Sequence, residues 1–295
     1  MRNLTLATAV LVACAFAAPP AFARAPLVAA MGDIACAAAV VPASTRCQQA
    51  AVAAAVRRAG PSSLWLLGDI QYGNGALSDF QGSFAASWGS MRKLMRPIPG
   101  NHEYYTPGAA GYFDFFAAAA GPARRGYYSF DVGRWHVVAL NSNCDIVGCG
   151  EESAQARWLR ADLASHPRRC TAALWHHPRY SSGANHGDDP VTRPLWRILA
   201  RSRAELVLSG HEHDFEVFKR QDSISRADPA RGLQQFVVGT GGVGAYDFAR
   251  PRPNSFVRKS GAFGFLALRL HPERFTWRFI GVDGRSLASG RAHCR

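Results

Sequence analysis

Residues 66–75 read "LLGDIQYGNG". The apolar run "SSLWLL" closes at Gly68; Asp69 follows, and Tyr72 comes three places later. An acid and a phenol at the mouth of a buried strand are costly unless something there uses them. The same pattern recurs along the chain. Asp33 ends "APLVAAMGD", Asn101 and His102 end "RPIPGNH", His176 ends "TAALWH", and His211 and His213 end "AELVLSGHEH". Glycine stands directly before Asp33, Asp69, Asn101 and His211, which permits a sharp turn or a close backbone approach where each strand opens. Asp, His, Asn and Tyr supply the oxygen and nitrogen donors that hard and borderline metals take. One such motif alone is weak, since Gly-Asn-His is also an ordinary turn. Five of them, each at the end of an apolar run, point to one shared metal site. His211 and His213 alternate around Glu212, so in extended backbone both rings face the same way.

The segments between these motifs alternate in type. Alanine-rich residues 46–59 predict a helix closed by Gly60-Pro61. Residues 79–95 predict a helix with aromatic side chains on one side, and 96–108 a short strand followed by a loop. Residues 126–142 predict two antiparallel strands around Gly133. Residues 153–166 predict an amphipathic helix with Ala156, Leu159 and Leu163 on one stripe. A helix is expected over 191–203, strands at 171–177, 204–210 and 233–238, and a hairpin over 263–284. Strands and helices alternate and then strands dominate. That predicts sheets covered by helices, with function at the strand ends.

The 295 residues suffice for one sizeable core, and no linker or internal repeat divides them. Residues 1–23 have a positive charge, an apolar stretch and an Ala-Phe-Ala end, the pattern of a secretory signal cut after Ala23. A membrane anchor would need a span of about 20 apolar residues, and Pro19 and Pro20 interrupt this one early. "LVAC" ending at Cys14 offers lipid attachment as the alternative to a soluble exported product. The expected location is therefore periplasmic or secreted, with residues 24–295 as a single catalytic domain. Beyond residue 23 the cysteines are Cys36, Cys47, Cys144, Cys149, Cys170 and Cys294, an even set that predicts disulfides in an exported chain. Spacing pairs Cys36 with Cys47 and Cys144 with Cys149, leaving Cys170 for Cys294. "CDIVGC" could instead be a metal clamp, but no second cysteine pair stands at zinc-ribbon spacing. The formal charge of +13 comes from scattered arginines. It suits attraction of an anionic substrate, and no dedicated nucleic-acid motif accompanies it.

These motifs together resemble the metallophosphoesterase (calcineurin-like) superfamily, and most closely the purple acid phosphatases and their small secreted bacterial relatives. "YFDFF", "YYSFDVGRWHVVALNS" and "VVGTGG" extend the resemblance over nearly all of the chain after residue 23. The resemblance implies a four-layer αββα sandwich of two mixed sheets with a dinuclear metal centre at the sheet ends. Many members of the superfamily place a ligating histidine two residues after the first aspartate; here Ala35 stands there. Tyr72 looks like its replacement, as in the purple phosphatases. Carried over, the first metal takes Asp33, Asp69, Tyr72 and His213, and the second takes Asp69, Asn101, His176 and His211, with Asp69 bridging.

A phenol keeps its proton to about pH 10 unless a strong cation displaces it. The tyrosine side is therefore expected to hold Fe(III), and the other side Fe(II), zinc or manganese. The implied reaction is hydrolysis of small anionic phosphate monoesters by a metal-bound hydroxide, with phosphodiesterase or nucleotidase chemistry as the alternative. His102 is expected beside the metals. His186, in the loop "YSSGANHGDD", is expected to protonate the leaving group. His177 orients that loop or touches phosphate, and Tyr104 and Tyr180 are expected as pocket walls.

Overall fold

The computed structural model describes residues 24–37, 47–167 and 170–295. The expected signal segment, with Cys14, lies outside them. The strands are β1 (Leu27–Met31), β2 (Ser63–Leu67), β3 (Met95–Ile98), β4 (Tyr128–Val132), β5 (Trp135–Ala139), β6 (Cys170–Leu174), β7 (Leu206–Ser209), β8 (Phe215–Phe218), β9 (Gln234–Val238), β10 (Ser255–Lys259), β11 (Gly264–His271), β12 (Arg274–Gly281) and β13 (Ser286–His293). Two mixed sheets result among the described residues: β13-β12-β11-β1-β2-β3 and β10-β8-β9-β7-β6-β5-β4. Strands β1, β2 and β3 run parallel in the first sheet; β5, β6, β7 and β9 run parallel in the second.

Alternation along β1 explains the layering. Val28 and Ala30 join the core between the sheets, whereas Ala29 and Met31 face the helices on the other side. Trp65 and Leu67 of β2 point inward in the same way, and Leu64 and Leu66 outward. Aromatic rings close the inter-sheet space: Phe215 stacks on Phe279 with centroids 4.1 Å apart, and Trp135 meets Phe275 edge-on at 5.6 Å. The helix Gln49–Ala59, the helical stretch at 77–94 and the helix Ala110–Phe116 cover the first sheet, while Ala154–Ser165 and Arg193–Arg201 cover the second. The αββα sandwich expected from the sequence is the architecture found.

Details depart from expectation where the chain breaks regularity. The helix expected over 79–95 is a relay of short pieces: α-helix at Leu77–Asp79, π-helix at Phe80–Phe84, α-helix at Ala85–Trp88 and 3-10 turns at Gly89–Leu94. Gly82 and Gly89 weaken a continuous helix there. Phe80 and Phe84 still reach one face and pack on Phe115 and Phe116, with Trp88 stacked on Phe84. The loop expected after β3 begins with a helical turn at Asn101–Tyr104. Gly60 closes the helix Gln49–Ala59 in the left-handed region, as its position implied. All three expected disulfides form, Cys36–Cys47, Cys144–Cys149 and Cys170–Cys294, so "CDIVGC" is a disulfide turn and not a metal clamp.

One polar tie stands at the end of the second sheet far from the parallel strands' carboxyl ends. His136 on β5 is 1% exposed and lies between Asp131 Oδ1 at 3.0 Å and Asp162 Oδ2 at 2.7 Å, joining β4, β5 and the helix Ala154–Ser165. Burial opposes charge on His136, but hydrogen bonds and charges from Asp162 and Asp131 outweigh it and raise its pKa. Burial likewise opposes an ionised Asp162, yet bonds from His136 and Ser129 hold it below the ordinary value of 3.8. The His136 contribution is therefore complete below its ordinary pKa of about 6.5 and fades as pH rises through the higher folded-state value. That of Asp162 is present above the ordinary carboxylate value and fades in acid. His136→Asn is expected to cost about 3 kcal/mol at pH 5.5 and clearly less at pH 9, measured by urea unfolding at both pH values. An equal loss at both would mean that the imidazole is not charged in the fold.

Candidate metal centre

The carboxyl ends of parallel strands from both sheets meet at one edge of the sandwich. Asp33 follows β1, Asp69 follows β2, Asn101 follows β3, His176 follows β6 and His211 follows β7. Three of these residues adopt the left-handed backbone region that side-chain-bearing residues rarely occupy: Asp33 at φ 60°, Asp69 at φ 46° and His211 at φ 72°. Such strain of about 1–3 kcal/mol per residue persists only where the surroundings enforce it. The preceding glycines supply the room. A Cβ on Gly100 would fall 2.2 Å from Asp69 Oδ1, one on Gly210 2.6 Å from Asp33 Oδ2, and one on Gly68 2.5 Å from His176 Nδ1.

Each aspartate turns one oxygen to the backbone and the other into the cluster. The His102 N–H donates to Asp69 Oδ1 and the His211 N–H to Asp33 Oδ2, both at 2.9 Å. Asp33 Oδ1 then lies 2.9 Å from the Tyr72 hydroxyl and 3.3 Å from His213 Nε2, and the hydroxyl is 2.8 Å from that nitrogen. Asp69 Oδ2 lies 3.1 Å from the Tyr72 hydroxyl and 3.3 Å from His176 Nε2, which is 3.2 Å from His211 Nδ1. One oxygen, Asp69 Oδ2, thus belongs to two donor sets. Asn101 Oδ1 is buried without a hydrogen-bond partner. Backbone carbonyls fix the tautomers: His176 Nδ1–H donates to Leu67 O at 2.7 Å and His213 Nδ1–H to Gly244 O at 2.8 Å, which frees both Nε2 atoms. The backbone oxygen of Ala35 accepts from the Tyr72 N–H at 2.8 Å, so the phenol stands beside the position whose histidine is missing.

The charges call for a cation. Asp33 is fully buried and Asp69 is 2% exposed, and among the described residues only histidines pair with them. Burial disfavours charge on His176, yet Asp69 overcomes that and raises its pKa to about 9. Burial and then the two aspartates push the Tyr72 hydroxyl far above its ordinary value. Burial and the neighbouring His176 and His177 push His211 down, so it is a neutral donor. Donor separations of 2.8–3.3 Å fall within the edges, about 2.8–3.6 Å, of octahedral and tetrahedral sites with bonds of about 2.0–2.2 Å. Asp33, Asp69 and His176 also offer atoms within 4.8 Å of one another. The residues present fit a pair of metal ions.

Other expected residues surround this cluster. His102 packs its ring 4.0 Å from Tyr72, with Nδ1 2.7 Å from Gly73 O and Nε2 3.8 Å from Asp69 Oδ2. The His186 side chain is 40% exposed and its ring lies 4.0 Å from that of His211, at the rim. His177 bonds Ser142 Oγ at 2.8 Å and packs 4.5 Å from His211, and burial lowers its pKa to about 3. Tyr104 accepts from Asn141 Nδ2 at 2.7 Å and lines a cleft that begins at Asn101. Tyr180 is not a pocket wall. It is 2% exposed, its hydroxyl donates to Asp222 O, and its ring packs on Trp196, because the chain after His177 turns inward.

Several residues of the site escaped sequence reasoning. Glu103, in "GNHE", is fully buried and accepts four backbone N–H groups, from Gly100, Asp69, Ile70 and Gln71, at 2.7–3.2 Å. It clamps the turn after β2 to the turn after β3. Glu212, between the two histidines, faces away from them and accepts the N–H groups of His186 and Gly187 at 2.5 and 2.6 Å. The alternation that places both histidines inward implies that outward direction. Tyr246 stacks on His213 with centroids 4.0 Å apart, and no local pattern marks it.

Comparison with known proteins agrees with this geometry. The calcineurin-like phosphoesterase family matches residues 27–215. Purple acid phosphatase 22 of Arabidopsis thaliana is 37% identical over 153 residues, covering 49% of this chain and 34% of the plant protein. The chain thus spans about a third of the length of the first curated relatives it matches. Among solved structures, purple acid phosphatase PPD1 from yellow lupin (Lupinus luteus) seeds superposes with a TM-score of 0.78 at 19% identity, over 90% of this chain and 53% of that one. GAP50, the anchor in the inner membrane complex of Plasmodium, superposes at 0.66 with 14% identity, over 92% of this chain and 90% of that one. These likenesses show the fold. With the family match over well more than half its length, the chain belongs to the calcineurin-like phosphoesterases.

Proposed function

We propose that residues 24–295 act outside the cytoplasm, after removal of residues 1–23, as a metal-dependent hydrolase of phosphate monoesters. The observation that carries this reading is the position of Asp69 Oδ2, within 3.3 Å of both the Tyr72 hydroxyl and His176 Nε2. Asp33, Tyr72 and His213 would hold one ion and Asn101, His176 and His211 the other, with Asp69 available to both. Fe(III) on the tyrosine side with Fe(II), zinc or manganese on the other would supply an activated water and neutralise phosphoryl charge. The buried phenol gives up its proton only to a strong cation, which favours Fe(III).

The chain's own groups handle orientation and protons. The backbone N–H groups on Asp33 and Asp69 hold each carboxylate so that one oxygen faces the cluster. His186, 40% exposed with Nδ1 3.8 Å from Glu212 and its ring 4.0 Å from that of His211, is the group that would protonate the departing alkoxide. His102, its Nδ1 held by Gly73 O and its Nε2 3.8 Å from Asp69 Oδ2, is the second imidazole that would meet the phosphoryl oxygens. The three disulfides suit an oxidising compartment. No helix of the described residues is long and apolar enough to cross a membrane.

Chelation is expected to abolish hydrolysis of p-nitrophenyl phosphate and metal to restore it, with bis-p-nitrophenyl phosphate turned over far more slowly. A faster diester reaction would overturn the monoester assignment. The oxidised, metal-loaded protein is expected to be purple or pink from a broad visible band, and Tyr72→Phe to lose that band with folding retained. A colourless, fully metallated and active protein would remove Fe(III) from the tyrosine side.

His186→Ala is expected to lower kcat on an alkyl phosphate by roughly 10²–10⁴-fold and to affect p-nitrophenyl phosphate much less, because p-nitrophenolate leaves almost unaided. Metal content should stay constant. Equal losses on both esters would assign His186 to phosphate binding and move the proton donor to His102.

A further inference from the structure

A cleft of about 270 Å³ opens beside Asn101 and runs away from the metal centre. Its walls come from three separate segments. Tyr105 rises from the turn after Asn101 and accepts from Asn101 Nδ2 at 3.1 Å. Ile146 sits on the helical turn Cys144–Val147, fixed by the Cys144–Cys149 disulfide. Val191 lies on the turn Pro190–Thr192 that follows the His186 loop. These side chains are 60%, 59% and 45% exposed, and they make up half of the six large apolar side chains exposed among the described residues. Such clustering on a single cleft is not the usual scatter of surface apolar groups. It leaves an apolar slot whose inner end is a proposed metal ligand.

The charged lining is equally selective. Asp145 and Asp189 line the cleft and no arginine or lysine does, in a chain with 34 basic and 21 acidic residues. Asp189 Oδ1 already accepts the Val191 N–H at 2.9 Å, and Arg179 acts on it. Asp145 is exposed and has no basic partner among the described residues, so it is the charge open to a ligand.

We propose that this cleft receives the leaving-group half of the substrate and selects phosphate esters of aromatic alcohols that carry an ammonium group. The proposal rests on the phosphomonoesterase reading above. A ring between Tyr105, Ile146 and Val191 loses apolar surface to water, and a cation beyond it meets Asp145. An ester whose alcohol carries a second anion is rejected by Asp145, although the net charge of the whole chain attracts it. The cleft and the overall field thus make opposite demands on the substrate's tail.

Two aryl phosphates with nearly equal phenol acidity test this: O-phosphotyramine, with an ammonium tail, and the phosphate of 3-(4-hydroxyphenyl)propionate, with a carboxylate tail. The metal-loaded protein is expected to favour the ammonium ester by about tenfold in kcat/KM at low ionic strength, mostly through KM. Asp145→Asn should shrink that ratio and Asp145→Lys should invert it. A preference for the carboxylate ester, or a ratio unmoved by Asp145→Lys, overturns the proposal while leaving phosphatase activity standing. Should neither ester nor methyl phosphate turn over, the phosphatase reading fails. Calorimetric binding of the same two esters to the same proteins then decides the cleft, with equal affinities counting against it.

Discussion

Two carboxylates, Asp33 and Asp69, lie at zero and 2% exposure with no guanidinium or ammonium paired to them among the described residues. Removing such charges from water costs several kcal/mol each unless a counter-charge meets them. Among the described residues the nearby groups able to hold positive charge are imidazoles, and the site raises the proton affinity of His176 and of the Tyr72 phenol accordingly. Every other feature of that edge accommodates this concentration of negative charge. The parallel strands bring it together, glycines clear space for it, and backbone N–H groups orient the outer oxygens.

The backbone shares the task. Asp33, Asp69 and His211 each sit in the left-handed region, and each belongs to the first turn after a buried strand. Left to local preference, these turns would open. Glu103 prevents that for the Asp69 turn by gathering four N–H donors from the segments after β2 and β3. Glu212 extends the same device outward and ties the histidine pair to the loop bearing His186. Two buried acids that are not expected to touch a metal thus set the shape of the ring of residues that is.

Much of this was legible because it is written locally. An apolar run ending in a donor residue is a pattern of a few positions; it appeared five times, four of them with a glycine directly before the donor, in an order that converging strands satisfy. Two of the cysteine pairs were legible for the same reason, being close in sequence, and the third, Cys170 with Cys294, followed by elimination. What escaped lacks a local signature. Strand β13, "SLASGRAH", turns only the small residues Ala288, Gly290 and Ala292 to its half-buried face, so no strong hydrophobic alternation marks it. Strand β10 is likewise an exposed edge. Tyr246 meets His213 through tertiary placement alone. Tyr180 looked like a pocket residue from its position in the loop, yet burial against Trp196 claimed it for the core. The interrupted helix over 77–94 shows packing of Phe80, Phe84 and Trp88 overriding helical period.

Strand β1 starts at residue 27 and finds its antiparallel partner in β11, with Leu27 opposite Arg269 and Ala30 opposite Leu266. The first aspartate of the cluster therefore hangs from a strand whose second neighbour, β11, lies far downstream in the chain. The Cys170–Cys294 disulfide spans 124 residues and ties the start of β6 to the segment after β13 in the same way. Contacts this remote in sequence form late and slowly. Until the final hairpin docks, β1 presents an open edge, the state most exposed to wrong pairing. Order at the site thus follows the docking of the final hairpin, so a chain stalled or clipped before residue 264 has every residue of the ring and no frame to hold it.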